Sequence, residues 1–201
     1  MKIGQNDRSE NMKKNNKGFS MVELLVVIAI MGIVLAATPS IDALFGYSAR
    51  EASSKIYNGI TSFKTSYMGK AKSQEKYAVV GTSGASAVNP NLDMYMEIYR
   101  NNKDVYFVKF HEKGFEDKVE KLGPKRMKIH YQLKNDATMI EVGTEGHGLI
   151  LAFDRATGGF LPLGTNGAGG DAYVQYIHCS SGTKIYTNEL SPLTGKVKKI
   201  K

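Results

Sequence analysis

The sequence predicts an α+β fold in which one long N-terminal helix packs its second half on an antiparallel β-sheet head. Three observations predict it. An uncharged apolar run extends from Leu24 to Ala37. A stripe of apolar side chains follows at helical spacing, from Phe45 to Tyr67. Farther on, Met127, Ile129, Tyr131 and Leu133 alternate with Lys128, His130 and Gln132, the pattern of a half-buried strand. The expected segments are a basic leader at 1–18, an apolar helix at 19–40, its amphipathic continuation at 41–75 and a β-rich head at 76–201.

Composition narrows the class. Hydrophobic residues make up 42% and charged residues 23% of the 201 positions, which excludes wholesale disorder. With 21 glycines and a tyrosine-rich second half, an all-helical fold is excluded as well. The formal net charge is +8. Lys2, Arg8, Lys13, Lys14 and Lys17, against Asp7 and Glu10, place a net +3 of it in the first 18 residues. Elsewhere the lysines are scattered, apart from Lys196, Lys198, Lys199 and Lys201. No basic groove interleaved with aromatics emerges, so the bias permits contact with DNA without supporting it. The single cysteine, Cys179, lies in the strand-like run from Tyr173 and reads as a small buried apolar side chain.

The first element is the apolar one. A helix from Phe19 to Thr38 would span roughly 30 Å, the thickness of one hydrocarbon core. Lys13, Lys14 and Lys17 precede it closely, which places the N-terminus in the cytoplasm and the rest outside the membrane. Three readings fit: a plain single-span anchor, a secretory signal peptide cut after Ala36, and a leader cut before the helix.

Glu23 separates them. A carboxylate at the head of a lipid-embedded helix costs a few kcal/mol. Neither an anchor nor a signal peptide has a use for it. Cleavage after Gly18 would create a positive amine at Phe19, and Glu23 could neutralise that amine within its own chain or a neighbour's.

The run Gly18-Phe-Ser-Met-Val-Glu23, a basic leader before it and an apolar helix after it resemble the N-terminal cleavage and methylation motif of type IV pilins and type II secretion pseudopilins. The resemblance spans residues 13–45. It implies that a prepilin peptidase cuts between Gly18 and Phe19 and N-methylates Phe19, and that Glu23 serves assembly. It also implies a structural filament subunit rather than an enzyme. The partners would be membrane lipid before assembly, other pilin subunits and an inner-membrane platform protein. Gly32 and Pro39 fit the glycine and proline of the family's anchor helix, with the proline one residue earlier than in most relatives. Pro39 lacks an N–H for the carbonyl of Leu35, and Gly32 lowers helix propensity, so the two are expected to form a hinge.

The stripe Phe45, Ala49, Ala52, Ile56, Ile60, Phe63 and Tyr67 predicts a helix that lays one face on the sheet. Ser48, Arg50, Ser53, Ser54, Asn58, Thr61 and Lys64 are expected on the opposite face, and Glu51 with Lys55 as an i,i+4 pair. Residues 81–92 read as a small-residue loop. Strands are expected at Asp104–His111, Met127–Leu133, Met139–Val142, Leu149–Phe153, Phe160–Leu163, Tyr173–Cys179 and Thr183–Leu190. Lysines and Pro162 are expected to guard the sheet edges. The turns in Phe153-Asp-Arg-Ala-Thr-Gly-Gly-Phe160 and Leu193-Thr-Gly-Lys-Val197 resemble those of minor pilins and pseudopilins of the FimT/GspH kind.

Catalytic chemistry is not expected. His111, His130, His147 and His178 lack metal-ligand spacing and read as strand-surface side chains. The glycine-rich Gly164–Asp171 lacks the lysine of a phosphate loop. No cofactor or metal is assigned. Some secretion pseudopilins bind calcium near the sheet, and Asp154 and Asp171 are the carboxylates placed for that role. The alternative function is a β-rich binding module, secreted or tethered by an ordinary anchor.

Overall fold

The computed structural model describes residues 20–37, 41–72, 75–80, 87–164 and 170–200, with the side chains of 35–37 and 41–45 outside that description. The chain divides into two units, Met1–Thr38 and Pro39–Lys201. Helix α1 (Met21–Ala37) belongs to the first and helix α2 (Ile41–Lys70) to the second. The single long helix expected from the sequence is therefore described as two, and Pro39 lies outside the described residues.

The stripe on α2 is the face that packs. Ala49, Ala52, Ile56, Ile60, Phe63 and Tyr67 are all buried. Phe45 falls among the side chains outside the description. The Glu51–Lys55 ion pair is present at 3.1 Å. One position differs from expectation: Ser53 is buried rather than exposed, because its hydroxyl donates to Asn188 Oδ1 at 3.3 Å. Gly59 has a steric reason, since a Cβ there would stand 3.0 Å from the Phe110 ring.

The head contains strands β1 (Val79–Val80), β2 (Ala87–Val88), β3 (Met94–Arg100), β4 (Tyr106–Glu112), β5 (Lys118–Lys121), β6 (Lys128–Leu133), β7 (Met139–Glu141), β8 (Leu149–Leu151), β9 (Val174–Ser181), β10 (Lys184–Ser191) and β11 (Lys196–Ile200). Where one antiparallel sheet was expected, three are described. One has five strands in the order β11-β10-β9-β6-β7, one has four in the order β5-β4-β3-β8, and β1 pairs with β2. Every pairing between these strands is antiparallel. Helix α2 packs on β9, β10 and β11. A shared core joins its stripe to Met96, Ile98 and Val108 of the four-stranded sheet and Ile129, Ile177 and Cys179 of the five-stranded one. Phe63, Tyr67, Phe153 and Phe160 add ring-to-ring contacts, their centroids 4.8 to 6.1 Å apart.

Several segments depart from expectation. Residues 160–163 form no strand; Phe160 makes an isolated bridge to Phe153. Pro162 guards no edge, because it is buried and its carbonyl accepts from Ala78 N–H at 2.8 Å. Part of the loop expected at 81–92 is β2. The basic C-terminal run is the edge strand β11, whose exposed Lys196, Lys198 and Lys199 discourage pairing with another sheet.

The two turns singled out by sequence meet in space. Phe160 N–H donates to Pro192 O at 2.7 Å, and Lys64 of α2 donates to Thr194 O. Gly158 and Gly195 hold φ of 68° and 59°, a left-handed backbone that favours glycine. A Cβ on Gly159 would stand 2.6 Å from Pro192 O, so a side chain there would separate the turns.

Candidate processing and assembly site

Helix α1 starts with a reciprocal cap. Ser20 Oγ accepts from Val22 N–H at 3.2 Å, and Glu23 Oε2 accepts from Ser20 N–H at 2.9 Å. The first helical bond, Leu24 N–H to Ser20 O, measures 3.1 Å. Ser20-Met-Val-Glu23 is thus a capping box, with the serine as N-cap and the glutamate three residues on. The carboxylate also lies where the helix dipole favours negative charge. Sequence reasoning treated Glu23 as a charge awaiting an amine and missed this second use, although the Ser-x-x-Glu spacing signals it. Gly18 and Phe19, the expected cleavage and methylation positions, lie outside the described residues.

The rest of α1 is apolar on all sides. From Met21 to Val34 every side chain is exposed, among them eleven large hydrophobics. Among the described residues no helix is long and apolar enough to cross a membrane, and α1 itself has 17 residues. Gly32 sits inside the regular helix, and a Cβ there would meet nothing within 4 Å. Among the described residues no contact therefore requires that glycine.

In the head, His111 and His178 bond neighbouring side chains and Cys179 is buried. His111 Nδ1 lies 2.7 Å from Asp117 Oδ1, and its ring stacks on Tyr95 at 4.6 Å. His130 and His178, distant in sequence, are cross-strand partners in β6 and β9. His178 Nδ1 bonds Thr187 Oγ1 at 2.9 Å, and burial, followed by the neighbouring His130, pushes its basicity down. Cys179 is fully buried, and burial pushes its thiol up to about 12, which removes the thiolate a nucleophile requires.

Asp154 and Asp171 line one cavity of about 290 Å³ together with Glu75. Asp154 spends both oxygens on its own turn, accepting from Ala156 N–H at 2.8 Å and from the Thr157 hydroxyl at 2.9 Å. Among the described residues no group of three or more His, Cys, Asp or Glu could hold a metal ion.

Neither a curated protein nor a solved structure matches the chain. A family model does match its N-terminal segment, the one in which the capped α1 begins. Residues 13–38 of this chain match the prokaryotic N-terminal methylation motif, consistent with a type IV pilin or pseudopilin.

Proposed function

We propose that the chain is the precursor of a pilin-like structural subunit of a type IV pilus, competence pilus or type II secretion pseudopilus. Prepilin peptidase cuts it between Gly18 and Phe19 and N-methylates Phe19. The helix anchors the subunit in the cell membrane with its N-terminus in the cytoplasm, then passes into the core of an extracellular or periplasmic filament, where Glu23 neutralises the Phe19 amine. Residues 41–75 join this anchor to the head, and Gly32 with Pro39 supplies the hinge. An inner-membrane platform protein and sibling subunits are the partners. The head is read as a tile of the filament surface, not as an enzyme.

The observation that carries the reading is α1 itself, apolar around its whole circumference and exposed, with one carboxylate in its first turn. A soluble monomer rarely leaves so large an apolar surface in water. Lipid covers it before assembly and neighbouring copies cover it afterwards. With Phe19, Ser20 and Thr38 counted from the sequence, the segment reaches the roughly 20 residues a hydrocarbon core requires.

The test is filament assembly by Glu23→Ala in cells that lack the wild-type chain. Sheared surface fractions should contain no filament, while the subunit stays in the membrane. Normal filaments from this variant would remove the assembly role of Glu23.

A further inference from the structure

One groove in the head has no acidic wall. It encloses about 560 Å³ between the N-terminal half of α2, the start of β10 and the end of β11. Arg50, Lys184 and Lys199 line it, with Ile185 and Ile200 beside them and no carboxylate among the lining residues. Lys199 Nζ donates to Ser54 Oγ at 3.0 Å and stands 4.8 Å from the centroid of the Tyr57 ring. Its charge therefore meets only neutral groups in these contacts. Ile185 is 57% exposed and Ile200 36%. Cations around exposed aliphatic side chains are the composition of a surface that meets lipid headgroups, where the charge pairs with phosphate and the apolar groups enter the acyl boundary.

The place of the groove in the chain favours the same occupant. Arg50 lies in the third turn of α2, roughly 15 Å of helix from Ile41. Helix α2 itself begins soon after α1 ends. We infer that this cationic groove docks on the anionic phospholipid headgroups of the outer leaflet and holds the head against the membrane before assembly. The inference rests on the membrane anchoring of α1. Assembly would then break this contact as the subunit leaves the bilayer, so the groove adds to the work of extraction.

The test uses the full chain in lipid nanodiscs, either purely phosphatidylcholine or with a third of it replaced by phosphatidylglycerol. Amide hydrogen exchange is read at residues 182–186 and 196–200. The anionic discs should slow exchange in both segments relative to the zwitterionic discs. Arg50→Gln and Lys184→Gln should each reduce that protection about fivefold, as expected for the loss of one charge near an anionic surface. Exchange that is the same in both discs overturns the inference. Protection that ignores lipid charge but grows with the number of copies per disc also overturns it and names a second copy as the occupant. A chain recovered free of both discs refutes the anchoring of α1, a separate failure from that of the groove.

Discussion

Asn188 of β10 and Ser53 of α2 clasp the helix to the five-stranded sheet inside the core. Asn188 Nδ2 donates to Ser53 O at 3.1 Å while Ser53 Oγ donates to Asn188 Oδ1 at 3.3 Å, and both residues are buried. Asn188→Ala removes two bonds and strands the serine hydroxyl in an apolar surround. The expected loss is about 2 to 3 kcal/mol of head stability, read from urea unfolding of the detergent-solubilised chain. Ser53→Ala keeps the bond to its own carbonyl and should cost about 1 kcal/mol.

A second buried polar pair crosses the four-stranded sheet. Glu97 of β3 is fully buried, 2.8 Å from Lys109 of β4, and also accepts from Gly146 N–H at 2.6 Å. Lys109 further pairs with Glu145 at 3.1 Å. Lys109→Met leaves the Glu97 carboxylate without its cation, at a cost of about 3 to 5 kcal/mol. The double variant Glu97→Leu with Lys109→Met should recover most of that loss. The comparison of the two unfolding midpoints is the check.

Alkaline pH should weaken the head. Burial raises Tyr67 and Tyr106 to about 12, assisted at Tyr67 by Asp93 and at Tyr106 by its bond to Glu141. Burial pulls Lys109 down, but its bonds to Glu97 and Glu145 outweigh that and leave it above an ordinary lysine. In the unfolded chain these groups lose their protons near pH 10. The folded head still holds them there, so the unfolded state binds fewer protons and stability falls as pH rises. The contribution of these groups is flat below about pH 10 and declines from there toward 12. Among the described residues the buried Tyr67 hydroxyl has no hydrogen-bond partner. Tyr67→Phe should therefore gain about 1 kcal/mol at neutral pH and lessen the loss at pH 11 by about 1 kcal/mol more. Thermal melts at pH 7 and pH 11 test both.

Glu23 has two roles that one substitution separates. Glu23→Gln keeps an oxygen to accept from Ser20 N–H but cannot neutralise an amine. It should retain the capped start of α1, seen as slow exchange of the amide protons in its first turn, yet lose at least tenfold in filament yield. Glu23→Ala should lose both. Equal filament yields from the glutamine variant and the wild type would assign Glu23 to capping alone.

Local patterns were legible in the sequence and distant partners were not. The α2 stripe was readable because burial there follows the helical period from Ala49 to Tyr67. The β9–β10 hairpin was readable because its strands flank a short turn at Gly182. Strand β3 was not, since Met94-Tyr-Met-Glu-Ile-Tyr-Arg100 is largely buried on both faces and shows no alternation. Its buried Glu97 makes sense only beside Lys109 on the next strand. Ser53 was misplaced for the same reason, its partner being 135 residues away. At the candidate site, Gly18, Phe19 and Glu23 were read from a motif. The cap that Ser20 and Glu23 form was available from spacing and was overlooked in favour of charge.

The first residue of the mature chain decides most directly among the readings of the N-terminal segment. Intact-mass and fragment-ion spectra of subunits from the membrane and from sheared filaments should begin at Phe19 and carry one methyl group on its amine. A chain that still begins at Met1, or one that begins at Ala37 or Thr38, would contradict the filament subunit proposed here.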